Sequence, residues 1–211
     1  MSLSIAIPTG VLLEGSLRLL EQAGLARLSA AALGRKLLAE KDGVRVILVR
    51  PLDVPAYVDH GAADLGVVGK DVLWEAPGGH YELVDLGFGA CRLVVAVPED
   101  SPLRGPDSWP ASLRVATRYP RATATMLEAL GRAVEVVTLH GSVELAPQVG
   151  LVDAIVDLVA SGRTLRENHL REVAELAPST ARLIANQASL KTRSERVQAV
   201  VARIREAALA H

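Results

Sequence analysis

The residues best suited to chemistry lie between Asp157 and Asn168, in the run Asp-Leu-Val-Ala-Ser-Gly-Arg-Thr-Leu-Arg-Glu-Asn. An apolar strand is expected to end at Val159. A loop of small residues follows, and a helix then begins, with Thr164 and Glu167 at the spacing of a capping box. Strand, small loop and helix start form an arrangement that binds phosphate. Loop N–H groups point at the anion, the helix dipole favours it, and Gly162 lets the backbone approach closely. Ala160, Ser161, Gly162, Arg163, Thr164 and Leu165 are therefore the candidate phosphate residues. Asp157, near the strand's carboxyl end, is positioned to accept hydrogen bonds from sugar hydroxyls. An ordinary capped turn between strand and helix has the same pattern. No Gly-Lys-Ser/Thr follows, so the loop is not a Walker A motif.

A second carboxylate, Glu144, stands in His140-Gly-Ser-Val-Glu-Leu-Ala-Pro147 after another expected strand. It is expected at the same edge as Asp157, where the pair would hold vicinal hydroxyls directly or through Mg²⁺. A solvated first-turn glutamate favoured by the helix dipole is the plainer alternative. Gly69-Lys70-Asp71 follows a third strand. There Lys70 would meet phosphate and Asp71 would cap a helix over Val72–Glu75, although a glycine turn with an N-cap explains these residues alone. Arg35, Arg50 and Arg92 are isolated arginines at segment ends, and Tyr119 ends a strand where it would stack on a base or pack inside. Cys91 is the single cysteine, reads as a buried thiol, and excludes an intrachain disulfide. The five histidines show no metal-ligand spacing.

These residues need a scaffold of alternating strands and helices. Strands are expected at Ser4–Pro8, Val44–Arg50, Leu65–Val68, Leu93–Val97, Leu113–Thr117, Val134–Leu139 and Ala154–Val159, with helix-length segments between them. That rhythm predicts an α/β fold with largely parallel sheets. Ser194 to Ala208 carries an apolar stripe and reads as a closing amphipathic helix. Pro98 to Ser112, rich in Pro, Ser and Asp, is expected to be a loop near a lobe boundary. A weak repeat adds to this: Gly61-x-x-Asp64-x-x-Val67 and Gly150-x-x-Asp153-x-x-Val156 each follow a proline-started helix. Two similar α/β lobes around a cleft would produce it, and clefts between lobes are preferred ligand sites.

Composition agrees with a globular chain. Of 211 residues, 50% are hydrophobic but only 3% aromatic, so the core must be aliphatic. Twenty-three basic against 24 acidic residues provide no global attraction to nucleic acid. No apolar run reaches the roughly 20 residues needed to span a bilayer, and no signal peptide is legible, so a cytoplasmic location is expected.

Taken in order, four stretches resemble the ATP phosphoribosyltransferase family: Arg50-Pro-Leu-Asp-Val-Pro-Ala-Tyr-Val, Gly61 to Leu73, Asp85 to Leu93, and Gly141-Ser-Val-Glu-Leu-Ala-Pro through Thr164-Leu-Arg-Glu-Asn. The resemblance implies two similar α/β lobes of the periplasmic-binding-protein type (type II), here residues 1–95 plus 178–211 and residues 96–177. It implies a reaction joining N1 of ATP to C1 of phosphoribosyl diphosphate (PRPP) with release of pyrophosphate, the first step of histidine biosynthesis. The 160–165 loop, Glu144 and Asp157 would hold PRPP. Arg35, Arg50, Gly69, Lys70, Asp71, Arg92 and Tyr119 would serve ATP, with Arg35, Glu144 and Asp157 catalytic. Mg²⁺ would ride on the pyrophosphate rather than on protein ligands.

The length resembles the family's short form, which works with a regulatory subunit resembling histidyl-tRNA synthetase, so a homo- or hetero-oligomer is expected. One departure stands out. The family's usual Pro-Lys-Gly-Arg opening is here Pro8-Thr9-Gly10-Val11, which leaves Arg18 and Arg35 as substitutes. Losing one charge donor typically costs about 10²–10³-fold in rate. A catalytically weak relative acting as a regulatory or anion-binding subunit is the alternative this departure motivates.

Overall fold

The structure, a computed structural model, describes residues 2–34, 36–41, 43–192 and 194–210. The Arg35 expectation falls outside these residues. The chain divides into two compact units, Met1–Gly89 with Thr180–His211, and Ala90–Ser179. The strands are β1 (Leu3–Pro8), β2 (Leu38–Lys41), β3 (Val44–Val49), β4 (Leu65–Gly69), β5 (Tyr81–Asp85), β6 (Cys91–Pro98), β7 (Leu113–Thr117), β8 (Val134–Thr138), β9 (Ala154–Val159), β10 (Leu170–Ser179) and β11 (Ala181–Ala185). The helices are α1 (Leu13–Gln22), α2 (Ala30–Leu33), α3 (Val54–Asp59), α4 (Lys70–Glu75), α5 (Pro120–Ala129), α6 (Leu145–Gln148), α7 (Arg163–Glu167), α8 (Gln187–Thr192) and α9 (Ser194–Leu209).

The first unit is a six-stranded sheet in the order β2-β3-β1-β4-β11-β5. Its centre is parallel, with β1 paired to both β3 and β4, while β2, β11 and β5 are antiparallel to their neighbours. Alternation along β1 sorts its side chains. Leu3, Ile5 and Ile7 join Leu17 and Leu20 of α1 and Val197, Val201 and Ile204 of α9 in one core, whereas Ala6 joins Val54, Val58 and Val72 in another. Spacing of three and four residues in α9 makes the stripe that covers the first core.

The second unit is a five-stranded sheet in the order β10-β6-β9-β7-β8. Here β7 is parallel to β8 and β9, and β6 runs antiparallel to both β9 and β10. The expectation of largely parallel sheets therefore holds for β3-β1-β4 at the centre of the first sheet and for β9-β7-β8 along one side of the second, and the remaining pairings are antiparallel. Strand β6 pairs wholly inside this sheet, so residues 91–95 stand with the second unit rather than the first. The Pro98–Ser112 segment is an excursion within the second unit, held by Arg171, whose guanidinium donates to the carbonyls of Ser101 and Leu103. No helix among the described residues is long and apolar enough to cross a membrane.

The repeat is a structural one. Gly61 and Gly150 end α3 and α6 with φ of +73° and +72°, a conformation that favours glycine. Three residues on, Asp64 accepts a hydrogen bond at Oδ2 from the Ser4 amide at 2.8 Å and returns its own amide to the Ser4 carbonyl at 2.9 Å. Asp153 does the same with Arg114, at 2.9 Å and 3.0 Å. Each aspartate thus clamps the foot of a parallel strand to its neighbour, and it makes β1, β3 and β4 the counterparts of β7, β8 and β9.

Candidate active site

The carboxyl ends of parallel strands are where open α/β sheets bind ligands. In the second unit the ends of β7 and β9 and the start of α6 meet around a cavity of about 300 Å³. Its walls are Arg118, Glu144, Asp157, Leu158, Val159 and the whole loop Ala160–Leu165. The expected carboxylate pair and loop are therefore brought together in one place.

Gly162 decides the loop's shape. It takes the left-handed conformation, φ +71°, as the residue immediately before α7. This corrects the expected capping box: Gly162, not Thr164, occupies the N-cap, and Glu167 turns back to Arg163 at 2.7 Å. With no capping side chain, first-turn N–H groups lack helical acceptors. The amides of Gly162, Thr164 and Leu165 donate to no loop or turn acceptor among the described residues. Behind the loop, Arg166 donates from Nη1 to the Ser161 carbonyl at 3.2 Å. Because α7 has only five residues, the loop amides rather than a long helix dipole supply the positive potential.

The equivalent turn of the first unit, at the end of β4, is already satisfied. The Lys70 amide donates to the Thr180 carbonyl at 3.0 Å, and the Asp71 carboxylate folds against Gly69, where a Cβ would overlap it. The N-cap of α4 is Gly69, so Asp71 is a first-turn residue and not the expected cap. One unit fills this position with its own carboxylate, and the other leaves it open to an anion.

Asp157 is 8% exposed and accepts two hydrogen bonds, both at Oδ1: from Arg118 Nη2 at 3.3 Å and from the Leu158 amide at 2.8 Å. Burial pushes its carboxyl above the ordinary aspartate range, against the pull of Arg118 and the Leu158 amide, and the nearby Glu144 charge adds to the rise. For Arg118, burial works against the charge, but Asp157, with smaller contributions from Tyr119 and Glu144, outweighs it and the pKa stands above normal. Its guanidinium lies 5.8 Å from the centroid of the Tyr119 ring. Arg118 is the site residue missed in the sequence. The legible signal was its position directly after β7, whose neighbour β9 carries Asp157.

The other candidates are distributed. Arg50, Gly69, Lys70 and Asp71 stand at the carboxyl ends of β3 and β4 in the first unit, with Arg50 exposed and Lys70 Nζ 2.6 Å from Glu82. Arg92 is in the second unit, bound to Glu172 at 3.0 Å and Glu175 at 2.9 Å on β10. The Tyr119 ring is buried, so it packs rather than offering an open face. Val11, in the loop that lacks the usual basic residues, is 94% exposed.

Two substitutions separate backbone from side chain in the loop. Gly162→Ala should distort it, because a left-handed alanine costs about 1–2 kcal/mol. Its Cβ would also press on Arg166 Nη1 at 3.0 Å. Affinity for a phosphorylated sugar, measured by calorimetry, should fall about tenfold or more, the equivalent of such strain. Arg163→Ala should cost no more than about fivefold, since an exposed ion pair contributes only about 0.2–1 kcal/mol. A greater loss for Arg163→Ala than for Gly162→Ala would reject the amide cradle.

Comparison with known proteins bears on this geometry. The sequence profile of the family HisG, ATP phosphoribosyltransferase, matches residues 50–206. The chain is 48% identical over 205 residues to the ATP phosphoribosyltransferase of Caldanaerobacter subterraneus subsp. tengcongensis, covering 96% of each. This chain belongs to the ATP phosphoribosyltransferase family. A second family member, from Rubrobacter xylanophilus, is 48% identical over 204 residues, 96% of this chain and 94% of that one. Among solved structures, the ATP phosphoribosyl transferase (HisG:HisZ) complex from Thermotoga maritima matches with a TM-score of 0.79 and 33% identity, over 99% of this chain and 100% of that one. The alkanesulfonate-binding protein SsuA from Xanthomonas axonopodis pv. citri matches with a TM-score of 0.60 at 16% identity, over 98% of this chain and 72% of that one. That likeness concerns the fold alone and is the periplasmic-binding-protein type expected for the family.

Proposed function

We propose that the chain joins N1 of ATP to C1 of PRPP and releases pyrophosphate, the first step of histidine biosynthesis, in the cytoplasm. The observation that carries this reading is the cavity of the second unit, where unpaired loop amides and two carboxylates share about 300 Å³. The amides of 160–165 hold the 5-phosphate. Asp157 and Glu144 accept the ribose hydroxyls and face the positive charge that develops at C1 as pyrophosphate leaves.

N1 of adenine already carries its lone pair, so the chemistry needs no strong base. The rate comes from alignment of the two substrates and from electrostatic stabilisation. ATP binds at the carboxyl ends of β3 and β4, where Arg50 supplies an exposed charge and Lys70 exchanges Glu82 for a phosphate oxygen. Mg²⁺, carried in with PRPP, would neutralise charge on the pyrophosphate. Among the described residues no group of three or more His, Cys, Asp or Glu side chains gathers to hold an ion, and no residue is assigned as its ligand.

A partner subunit of the kind present in the Thermotoga maritima assembly completes the enzyme. Mixing the protein with ATP, PRPP and Mg²⁺, with and without such a partner, and following adduct absorbance tests the reaction. Formation of the adduct in either mixture supports the reading. Binding of PRPP with no adduct in both mixtures rejects it in favour of a silent anion-binding subunit.

A further inference from the structure

Three arginines lie close to the loop without serving it as free charges. Arg163 is bound to Glu167, Arg166 to the Ser161 carbonyl, and Arg92 to Glu172 and Glu175. Arg118 differs, because its guanidinium faces into the cavity and meets Asp157. It follows β7 directly, and Thr117 pairs with Val156 across the sheet, so the strand register itself places residue 118 beside residue 157. The Tyr119 ring lies against it.

On the reading of this cavity as the PRPP site, we propose that Arg118 is its positioning residue: it pins Oδ1 of Asp157 so that Oδ2 is presented to the sugar hydroxyls. The hydrogen-bond pattern is the basis. Both donors to Asp157 end on Oδ1, and none of the described residues donates to Oδ2. The charges favour such a group as well. Glu144 lines the same cavity and its charge acts against that of Asp157, so a counter-charge beside Asp157 is favourable. Arg118 provides that charge without covering the oxygen the substrate needs. The charged groups acting on Asp157 are thus Arg118 after β7 and Glu144 before α6, while Arg92 of β6 and Arg163 of α7 are bound elsewhere.

The test is PRPP binding by titration calorimetry, with Mg²⁺, from pH 5 to 9, each variant compared with wild type at the same pH. An arginine beside an aspartate lowers its pKa by about 1–3 units, so Arg118→Gln should move the acid limb of binding upward by about 1–2 pH units. Affinity should fall about tenfold near pH 6 and return to within about threefold of wild type near pH 8.5. Arg118→Lys, which keeps the charge, should recover most of the loss at pH 6. A loss of the same factor at every pH would make Arg118 a direct phosphate ligand and overturn the proposal, as would an unchanged profile. Asp157→Asn serves as the control on the cavity itself. If that variant binds PRPP as wild type does, the PRPP assignment falls, and the proposal with it; if only Arg118→Gln is silent, the proposal alone falls.

Discussion

Asp157→Asn is expected to lower turnover by about 10²–10³-fold, the usual cost of removing one preorganised charge from a transition state, while melting at a higher temperature than wild type near pH 7.5. The two effects share one cause. Burial holds the Asp157 carboxyl above its ordinary range even with Arg118 alongside. A carboxyl whose folded-state pKa is raised binds its proton more tightly in the folded state. Its contribution to stability is complete below the unfolded value of about 3.9 and is lost as pH rises through the higher folded value. At neutral pH the wild type therefore carries the cost of a buried charge, and asparagine does not. Arg118 retains the field of Glu144 and is half-exposed, so it tolerates the loss of its partner. The advantage of the variant should shrink to nothing as pH is lowered below 4, which calorimetric melting at pH 4 and pH 7.5 would read directly. A lower melting temperature at pH 7.5, or turnover within threefold of wild type, would contradict this account of Asp157.

Asp64→Ala should be the most destabilising change of this kind, by about 3 kcal/mol. Asp64 is 4% exposed and accepts from the Ser4 amide at 2.8 Å, the Ser4 hydroxyl at 2.9 Å and the Ser189 hydroxyl at 2.7 Å. It therefore ties β1, β4 and α8 together. Alanine leaves these donors without an acceptor, and each buried unsatisfied group costs about 1–3 kcal/mol. The adjoining cavity, lined in part by Ser2, Ser4, Arg45 and Thr192, admits water and keeps the loss at the lower end of that sum. The repeat provides the control. Asp153 makes the corresponding bonds to Arg114 but its side chain is 38% exposed, so Asp153→Ala should cost at most about 1 kcal/mol. Urea unfolding of the two variants would show equal losses only if burial were irrelevant to the clamp.

The seven strands expected from sequence are all present, because each is a short β-branched run, and in β1, β3, β4, β6, β7 and β9 most of its residues are buried. Those runs stand out from the helices between them. The four additional strands carry weaker signals. β2 (Leu38–Lys41) is exposed along most of its length and β5 is a polar edge. β10 contains Glu172, Glu175 and Pro178 and pairs through two register shifts, which breaks its alternation. β11 is buried, but Ala-Arg-Leu-Ile-Ala holds a single β-branched residue. All four are antiparallel partners whose existence depends on a neighbouring edge rather than on their own composition.

The site was legible where backbone chemistry defines it and illegible where charge pairing does. Gly162 and the small residues around it mark a tight loop after β9, Asp157 stands near the end of β9, and Glu144 stands at the start of α6 in the segment that follows β8. The partners of Arg92 and Lys70 are not local in a way that types alone reveal, whereas Arg163 has Glu167 one helical turn away, a spacing open to reading. Glu172 and Glu175 face Arg92 from a strand 80 residues later in the chain, and Glu82 reaches Lys70 from the far side of α4. Arg118 carries no signal of its own in the sequence, since its significance lies in the parallel pairing of β7 with β9.

The most direct measurement is a crystal of the protein soaked with PRPP and Mg²⁺. The 5-phosphate should lie on the amides of Gly162, Thr164 and Leu165, with the ribose hydroxyls on Asp157 and Glu144. A phosphate seated anywhere else, or a ribose turned away from both carboxylates, would overturn the PRPP assignment.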